Sequence, residues 1–157
     1  MNREFTAELK KRIEEITARY PSRQAALLPV LHLVQNEAGF ISADEERSVA
    51  ALLGIAPIKV REVVTFYTMF TRKPLGRFHL QICSNLGCSI AGGEAVLAHL
   101  RAKLGIGVGE TTPDKKFTLT AVECLGACEQ APCMMVNYDY YGNLDPEKID
   151  RILEDLK

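Results

Sequence analysis

The sequence lacks an excess of charge of either sign, a long apolar run, and any repeated or low-complexity segment. Its 157 residues include 19 basic and 20 acidic side chains, for a formal net charge of −1. A nucleic acid is therefore not expected as the main partner, because contact with phosphates requires a basic surface. Hydrophobic residues make up 47% of the chain and charged residues 25%. This balance is typical of a folded globular protein and excludes intrinsic disorder.

Membrane-spanning and targeting segments are also missing. The most apolar windows, Ala25–Val34 and Val49–Ile58, are interrupted by proline, histidine or glycine. Neither window approaches the ~18 continuous apolar residues that a membrane span needs. The N-terminus leads into a charged amphipathic stretch instead of the apolar core of a signal peptide. We therefore expect a cytoplasmic protein without direct membrane insertion, in which thiols stay reduced.

The first part of the chain has the periodicity of helices. From Phe5 onward, apolar residues recur three or four positions apart, which predicts an amphipathic helix that ends before Pro21. Three further helices are predicted, over Ser22–Glu37, from Ser42 to Leu53, and from Pro57 to Tyr67, and the first and last of these have similar stripes. Ser42 and Glu45 have the spacing of a capping box at the start of the helix that is predicted from Ser42 to Leu53. Helices this short need packing partners, so we predict an N-terminal helical bundle segment over residues 1–71.

From residue 77 onward the periodicity changes to that of a mixed domain. Apolar side chains alternate over three stretches, residues 77–83, 117–121 and 134–138, and a fourth short strand can follow at 141–144. One helix is predicted after the first strand, closed by Gly105, and another after the cap Asp145-Pro146. The order strand, helix, strand, strand, strand, helix is that of a small thioredoxin-like α/β domain over residues 77–157. The predicted fold class of the whole chain is thus α+β.

Four of the five cysteines form two pairs with short internal spacing. Four residues separate Cys83 from Cys88, and three separate Cys124 from Cys128. Each pair follows the end of a predicted strand, where a loop leaves the sheet. Adjacent loops at one end of a sheet can bring four sulfurs around a single point. A glycine inside each loop, at positions 87 and 126, would let backbone N–H groups approach sulfur closely.

The spacing alone leaves three interpretations open: an iron–sulfur cluster, a structural zinc ion, and buried thiols without a ligand. No C-x-x-C motif occurs in the sequence. Its absence weakens the zinc interpretation and argues against thioredoxin-type thiol exchange. The fifth cysteine, Cys133, is close enough in sequence to Cys128 to be a substitute ligand. Because it follows Ala131-Pro132 and opens an apolar run, we expect it to be a small core residue.

The stretches Cys-Ser-Asn-Leu-Gly-Cys at 83–88 and Glu-Cys-Leu-Gly-Ala-Cys-Glu-Gln-Ala-Pro at 123–132 resemble a known family. It comprises the E subunits of bacterial NADH:quinone oxidoreductase, respiratory complex I, which have a thioredoxin-like [2Fe-2S] ferredoxin fold. The helical part is similar as well, at Leu27–Leu31, Gln35–Gly39 and Thr65–Phe70. Proteins of this family more often have an aliphatic or small residue at the position of Cys133.

This resemblance implies that Cys83, Cys88, Cys124 and Cys128 hold one [2Fe-2S] cluster as its metal ligands. It implies an electron-transfer subunit that acts in an enzyme only as part of the complex and has no catalytic residue of its own. FMN and NADH are expected on a larger partner subunit, in a heterodimer or larger assembly. The helical segment would provide a docking surface, and the chain would reach the inner membrane only through its partners.

The remaining motifs point to no second cofactor. Glycines at 105, 107 and 109 follow a helix instead of a strand, so a loop is expected there and not a dinucleotide site. His32, His79 and His99 are scattered, and packing or surface roles are expected for them. We also predict a cis peptide bond before Pro132, as thioredoxin-like folds often have one there.

Two other functions stay open. The same module occurs in soluble NAD-linked hydrogenases and formate dehydrogenases, as a diaphorase subunit. From a different class, a zinc-stabilised interaction module without redox activity would also use four cysteines.

Overall fold

The computed structural model describes residues 4–156. The chain separates into two compact units, and the division lies between Pro74 and Leu75. Each unit has its own hydrophobic core, and they are described one after the other.

The first unit is built from four helices. They are α1 at Ala7–Thr17, α2 at Leu27–Ala38, α3 at Ala43–Leu53 and α4 at Pro57–Phe66. The predicted capping box is present, since the Ser42 side chain accepts from backbone N–H groups of α3 and Glu45 reaches back to Ser42. Helix α2 begins five residues later than predicted. Instead of a helical turn, the Ala25 N–H donates to the Ser22 carbonyl in a short turn.

The core of this unit takes at least one fully buried side chain from each helix. Ile13, Leu31, Val49 and Val60 are fully buried, one from each helix. The segment after α4 is held by Gln35, whose amide donates to the Met69 carbonyl and accepts from the Thr71 N–H. A buried polar side chain is thus satisfied on both its donor and acceptor sides.

The second unit is a four-stranded sheet with helices. Its elements are β1 at Phe78–Cys83, α5 at Leu86–Ile90, α6 at Gly93–Leu104, β2 at Phe117–Val122, β3 at Met134–Val136, β4 at Asp139–Tyr141 and α7 at Pro146–Asp155. The sheet order is β2-β1-β3-β4, with β1 parallel to β2 and antiparallel to β3. The predicted order of elements is confirmed except for α5, which the sequence pattern does not predict. Five residues are too few for a periodic signal.

The sheet core determines where the functional residues lie. Leu80, Leu119 and Met134 are fully buried, and Leu100 of α6 and Ile149 of α7 complete the core. Because β1 and β2 run parallel and in register from Phe78–Phe117 to Cys83–Val122, their carboxyl ends meet at the same edge of the sheet. The predicted cis peptide bond is present between Ala131 and Pro132, just before β3.

The histidines have the ordinary roles predicted for them. The His32 ring packs against Phe70, His79 Nε2 lies 2.8 Å from Thr120 Oγ1, and His99 Nε2 lies 2.8 Å from Asp150 Oδ1. The glycine-rich stretch at 105–109 is a loop after α6, as expected. None of the helices between residues 4 and 156 has the length and apolar content required to cross a bilayer.

Candidate metal centre

Cys83 is the last residue of β1 and is held by backbone hydrogen bonds on both sides. Its N–H donates to the Cys133 carbonyl at 3.2 Å, and the next N–H, of Ser84, donates to the Val122 carbonyl at 2.9 Å. The thiol is buried and lies 3.8 Å from the Glu123 carbonyl oxygen, which it can reach as a donor. The strand end therefore fixes the position of this sulfur next to the loop that leaves β2.

Cys88 is presented by the short helix α5. Asn85 caps this helix, because its side-chain oxygen accepts from the Leu86 N–H at 2.9 Å. The carbonyl of Cys88 lies so close to Gly93 that a Cβ on that glycine would be 2.8 Å from it. The thiol of Cys88 is buried. The Asn85 cap fixes the start of α5, and the contact with the first residue of α6 fixes its position at Cys88.

Three sulfurs converge at this place: Cys83, Cys88 and Cys133. They lie within 4.8 Å of one another, and the sulfurs of Cys88 and Cys133 are 3.6 Å apart. Cys133 is buried, as predicted, but it joins this thiol cluster and not the apolar core of the sheet. The antiparallel register of β1 and β3 explains this. It pairs Ile82 with Met134, and so carries Cys133 to a position opposite Cys83.

Cys124 and Cys128 lie on the loop that follows β2, and both are exposed. They stand outside the three-sulfur group among the residues that the structure describes. The loop nevertheless packs against that group, because its Ala127 is buried in the same apolar cluster as Cys83 and Cys88. The structure thus brings two of the four predicted ligands together and places the other two on the adjacent loop.

Of the two glycines predicted to let N–H groups approach sulfur, one does so. Gly126 has φ +73°, and its N–H donates to the sulfur of Cys124 at 3.3 Å. This left-handed conformation favours glycine. At Gly87, a Cβ would meet no atom within 4 Å, so the structure shows no close approach there.

The environment spreads the pKa values of the three buried thiols. Burial raises the pKa of Cys133 to about 12 and also raises that of Cys88. Burial acts on Cys83 in the same sense, but hydrogen bonds from the backbone of Asn85 and Leu125, together with those from the neighbouring thiols, outweigh it and lower its pKa. Deprotonation is therefore favoured at the end of β1, where backbone donors stabilise a thiolate.

The side chain of Tyr140, on β4, reaches the cysteine loop. Its hydroxyl donates to the carbonyl of Leu125 at 3.2 Å, between Cys124 and Cys128. Nothing in the spacing of the sequence linked this tyrosine to the loop, because the contact depends on β4 being the edge strand beside β3.

The donor set fits a thiophilic metal centre. Thiolates select zinc, copper(I) and iron–sulfur clusters over hard cations. Two cysteine-bearing loops lie at one sheet edge, with backbone N–H groups that can contact sulfur. Such an arrangement matches the four-thiolate ligation of a [2Fe-2S] cluster, in which hydrogen bonds to sulfur tune the potential.

Comparison with known proteins shows relatives over almost the whole chain. The chain is 49% identical to the second E-type subunit of NADH-quinone oxidoreductase from Rhizobium meliloti, over 95% of this chain and 89% of the relative. It is 43% identical to the mitochondrial NADH dehydrogenase [ubiquinone] flavoprotein 2 of Dictyostelium discoideum, over 98% of this chain and 64% of the relative. The chain thus spans less than two thirds of the length of that second protein.

Among solved structures, the chain is similar to an NAD+-reducing [NiFe]-hydrogenase in the air-oxidized state. The TM-score is 0.71 at 25% identity, over 83% of this chain and 22% of the hydrogenase chain. Residues 13–157 match the family described as thioredoxin-like [2Fe-2S] ferredoxin. The match confirms the resemblance that the two cysteine motifs indicated, and the chain belongs to the thioredoxin-like [2Fe-2S] ferredoxin family.

Proposed function

We propose that this chain is the electron-transfer subunit of an NADH:quinone oxidoreductase, carrying one [2Fe-2S] cluster that exchanges single electrons with the FMN of an NADH-binding partner subunit. One observation carries the proposal. Two cysteine loops leave the adjacent carboxyl ends of parallel strands β1 and β2, in a chain that belongs to a [2Fe-2S] family and is 49% identical to an NADH-quinone oxidoreductase subunit.

The proposed ligands are Cys83, Cys88, Cys124 and Cys128. The sulfurs of the first two already lie together at the end of β1. The loop of the other two is anchored beside them through Ala127, and both of its cysteines are exposed. In this assignment Cys133 is a neighbour of the cluster and not a ligand.

When bound, a [2Fe-2S] cluster supplies one-electron transfer. The chain contributes a buried side, where Cys83 and Cys88 exclude water, and an exposed side formed by the loop of Cys124 and Cys128. Electron exchange with a partner requires close approach, and the exposed loop offers it. Hydride chemistry requires a different cofactor, so NADH and FMN are assigned to the partner subunit. Through that partner, the chain would lie at the cytoplasmic side of the inner membrane.

The test is anaerobic purification of the chain, followed by metal analysis and EPR spectroscopy. We expect two irons per chain, visible absorption, and an EPR signal that appears on reduction. When the chain is mixed with the flavin subunit of the same complex, the EPR signal of the reduced cluster should appear on addition of NADH. Zinc in place of iron, with no visible absorption, would instead indicate a structural module.

A second candidate is the diaphorase subunit of a soluble NAD-linked hydrogenase. The similarity to the NAD+-reducing [NiFe]-hydrogenase favours it, at a TM-score of 0.71. Purification of the intact complex through this chain separates the two candidates. Quinone reduction by NADH supports the first, and hydrogen-dependent reduction of NAD+ supports the second.

Removing the hydroxyl of Tyr140 should loosen the cysteine loop. In the variant Tyr140→Phe the Leu125 carbonyl loses its donor, a net loss of about 1 kcal/mol for one hydrogen bond. We expect iron to be lost to a ferrous chelator about threefold to fivefold faster than from the unmodified protein. The measurement is the decay of visible absorption with time.

Tyr138→Phe is the matched control. The hydroxyl of Tyr138 makes no hydrogen bond to the residues described, and its side chain is 72% exposed. The Tyr138→Phe variant should lose iron at the same rate as the unmodified protein. Equal rates for both variants and the unmodified protein would show that Tyr140 does not restrain the loop.

A further inference from the structure

The thiol of Cys133 is placed beside a proposed cluster ligand without being one. Its sulfur is 3.6 Å from that of Cys88, a distance at which one thiol can donate to the other sulfur. Both side chains are almost fully buried, at 1% and 2% exposure, so water does not compete for this contact. Cys133 is further held by the backbone, because its carbonyl accepts from the Cys83 N–H.

The direction of the hydrogen bond follows from ligation. A cysteine that binds iron does so as a thiolate, which has lone pairs and no proton. Cys88 can then only accept. The uncoordinated thiol of Cys133 retains its proton and is the donor.

We propose that Cys133 donates an S–H···S hydrogen bond to the sulfur of Cys88 and thereby raises the reduction potential of the cluster. The inference rests on the proposed function. Reduction adds one negative charge, part of which resides on the ligand sulfurs. A donor to sulfur therefore stabilises the reduced form more than the oxidised form, and hydrogen bonds of this kind are among the factors that set cluster potentials. Cys133 is thus a positioning and tuning residue, and no proton or bond is transferred.

The test is an EPR-monitored redox titration of the full chain, unmodified and with Cys133→Ala or Cys133→Ser. Alanine removes the donor, whereas serine replaces it by an O–H. We expect Cys133→Ala to keep its iron but to lower the equilibrium constant for reduction about threefold, or about 28 mV for one electron at 59 mV per tenfold. Serine should recover part of this shift. In the unmodified protein, exchange into D2O should shift the Fe–S vibrational bands, and the shift should be smaller in Cys133→Ala, in which only the backbone N–H donors to sulfur remain.

Val136→Ala is the control for packing. Val136, three residues further along the chain, is also buried, but it belongs to the sheet core and not to the thiol cluster. The Val136→Ala variant should have lower thermal stability and an unchanged reduction potential of the cluster.

Each contrary result has a separate meaning. An intact cluster with an unchanged potential in Cys133→Ala overturns the hydrogen bond and leaves the proposed function standing. Loss of the cluster in that variant would make Cys133 a ligand, which also overturns the proposal. Zinc without iron in the unmodified protein would refute the proposed function itself.

Discussion

Alanine in place of Cys124 is expected to give a chain that purifies with little iron and no visible absorption, whereas alanine in place of Cys133 keeps both. Cys124 is exposed and outside the buried sulfur group, while Cys133 is inside it. Proximity in the structure alone would therefore favour the opposite outcome. The proposed ligand set depends instead on the two cysteine pairs that follow the ends of β1 and β2, and Cys133, directly before β3, belongs to neither pair.

The physical reason is that a [2Fe-2S] cluster of this kind needs four thiolates, and alanine has no donor to replace one. Alanine in place of Cys83, Cys88 or Cys128 should cause the same loss of iron. Alanine is preferred to serine here, since a serine oxygen can also bind a metal. The measurement is iron and sulfide per chain together with the visible spectrum, after anaerobic purification.

Circular dichroism provides the control for folding. Cys124 is exposed, so its replacement should leave the secondary structure intact even when iron is lost. A Cys124→Ala chain that retains about two irons, beside a Cys133→Ala chain that retains none, would make Cys133 the fourth ligand instead of Cys124. The proposed assignment of the ligands would then be wrong.

The elements that the sequence predicted well are those with several turns or a clear alternation. The apolar stripe that contains Leu9 and Ile13 predicts α1, and the alternation of Phe78, Leu80 and Ile82 predicts β1. Helix boundaries were less accurate. Helix α2 begins at Leu27 because residues 22–26 form hydrogen-bonded turns instead of a first turn of α-helix. An apolar stripe does not show which of these two local hydrogen-bond patterns the backbone adopts.

The candidate site was predictable where it depends on strand ends and not where it depends on register. Placing each cysteine pair after a strand was enough to bring both loops to one edge, once β1 and β2 proved parallel neighbours. The contact of Cys133 with Cys88 could not be inferred from spacing. It requires the antiparallel pairing of β3 with β1 and the short helix α5, and neither leaves a periodic signal. The bond from Tyr140 to the Leu125 carbonyl is of the same kind.

Alanine at Gly93 is expected to destabilise the second unit and to impair retention of iron. Gly93 opens α6, and a Cβ there would lie 2.8 Å from the carbonyl oxygen and 3.1 Å from the carbonyl carbon of Cys88. Both are backbone atoms, so relief requires movement of α5 and of the Cys88 sulfur with it. In an open helical position, the same change would stabilise by up to about 1 kcal/mol.

The clash should outweigh that gain, because overpacking of this kind costs about 1–3 kcal/mol. We expect a lower midpoint of thermal unfolding and a faster loss of iron to a chelator, measured on the same preparation. Glu94→Ala is the control: it places alanine at the next position of α6, where the side chain is exposed. An unchanged midpoint and unchanged iron retention in Gly93→Ala would show that α5 shifts without cost, and that the position of Cys88 is fixed by the ligated metal instead of by the contact with α6.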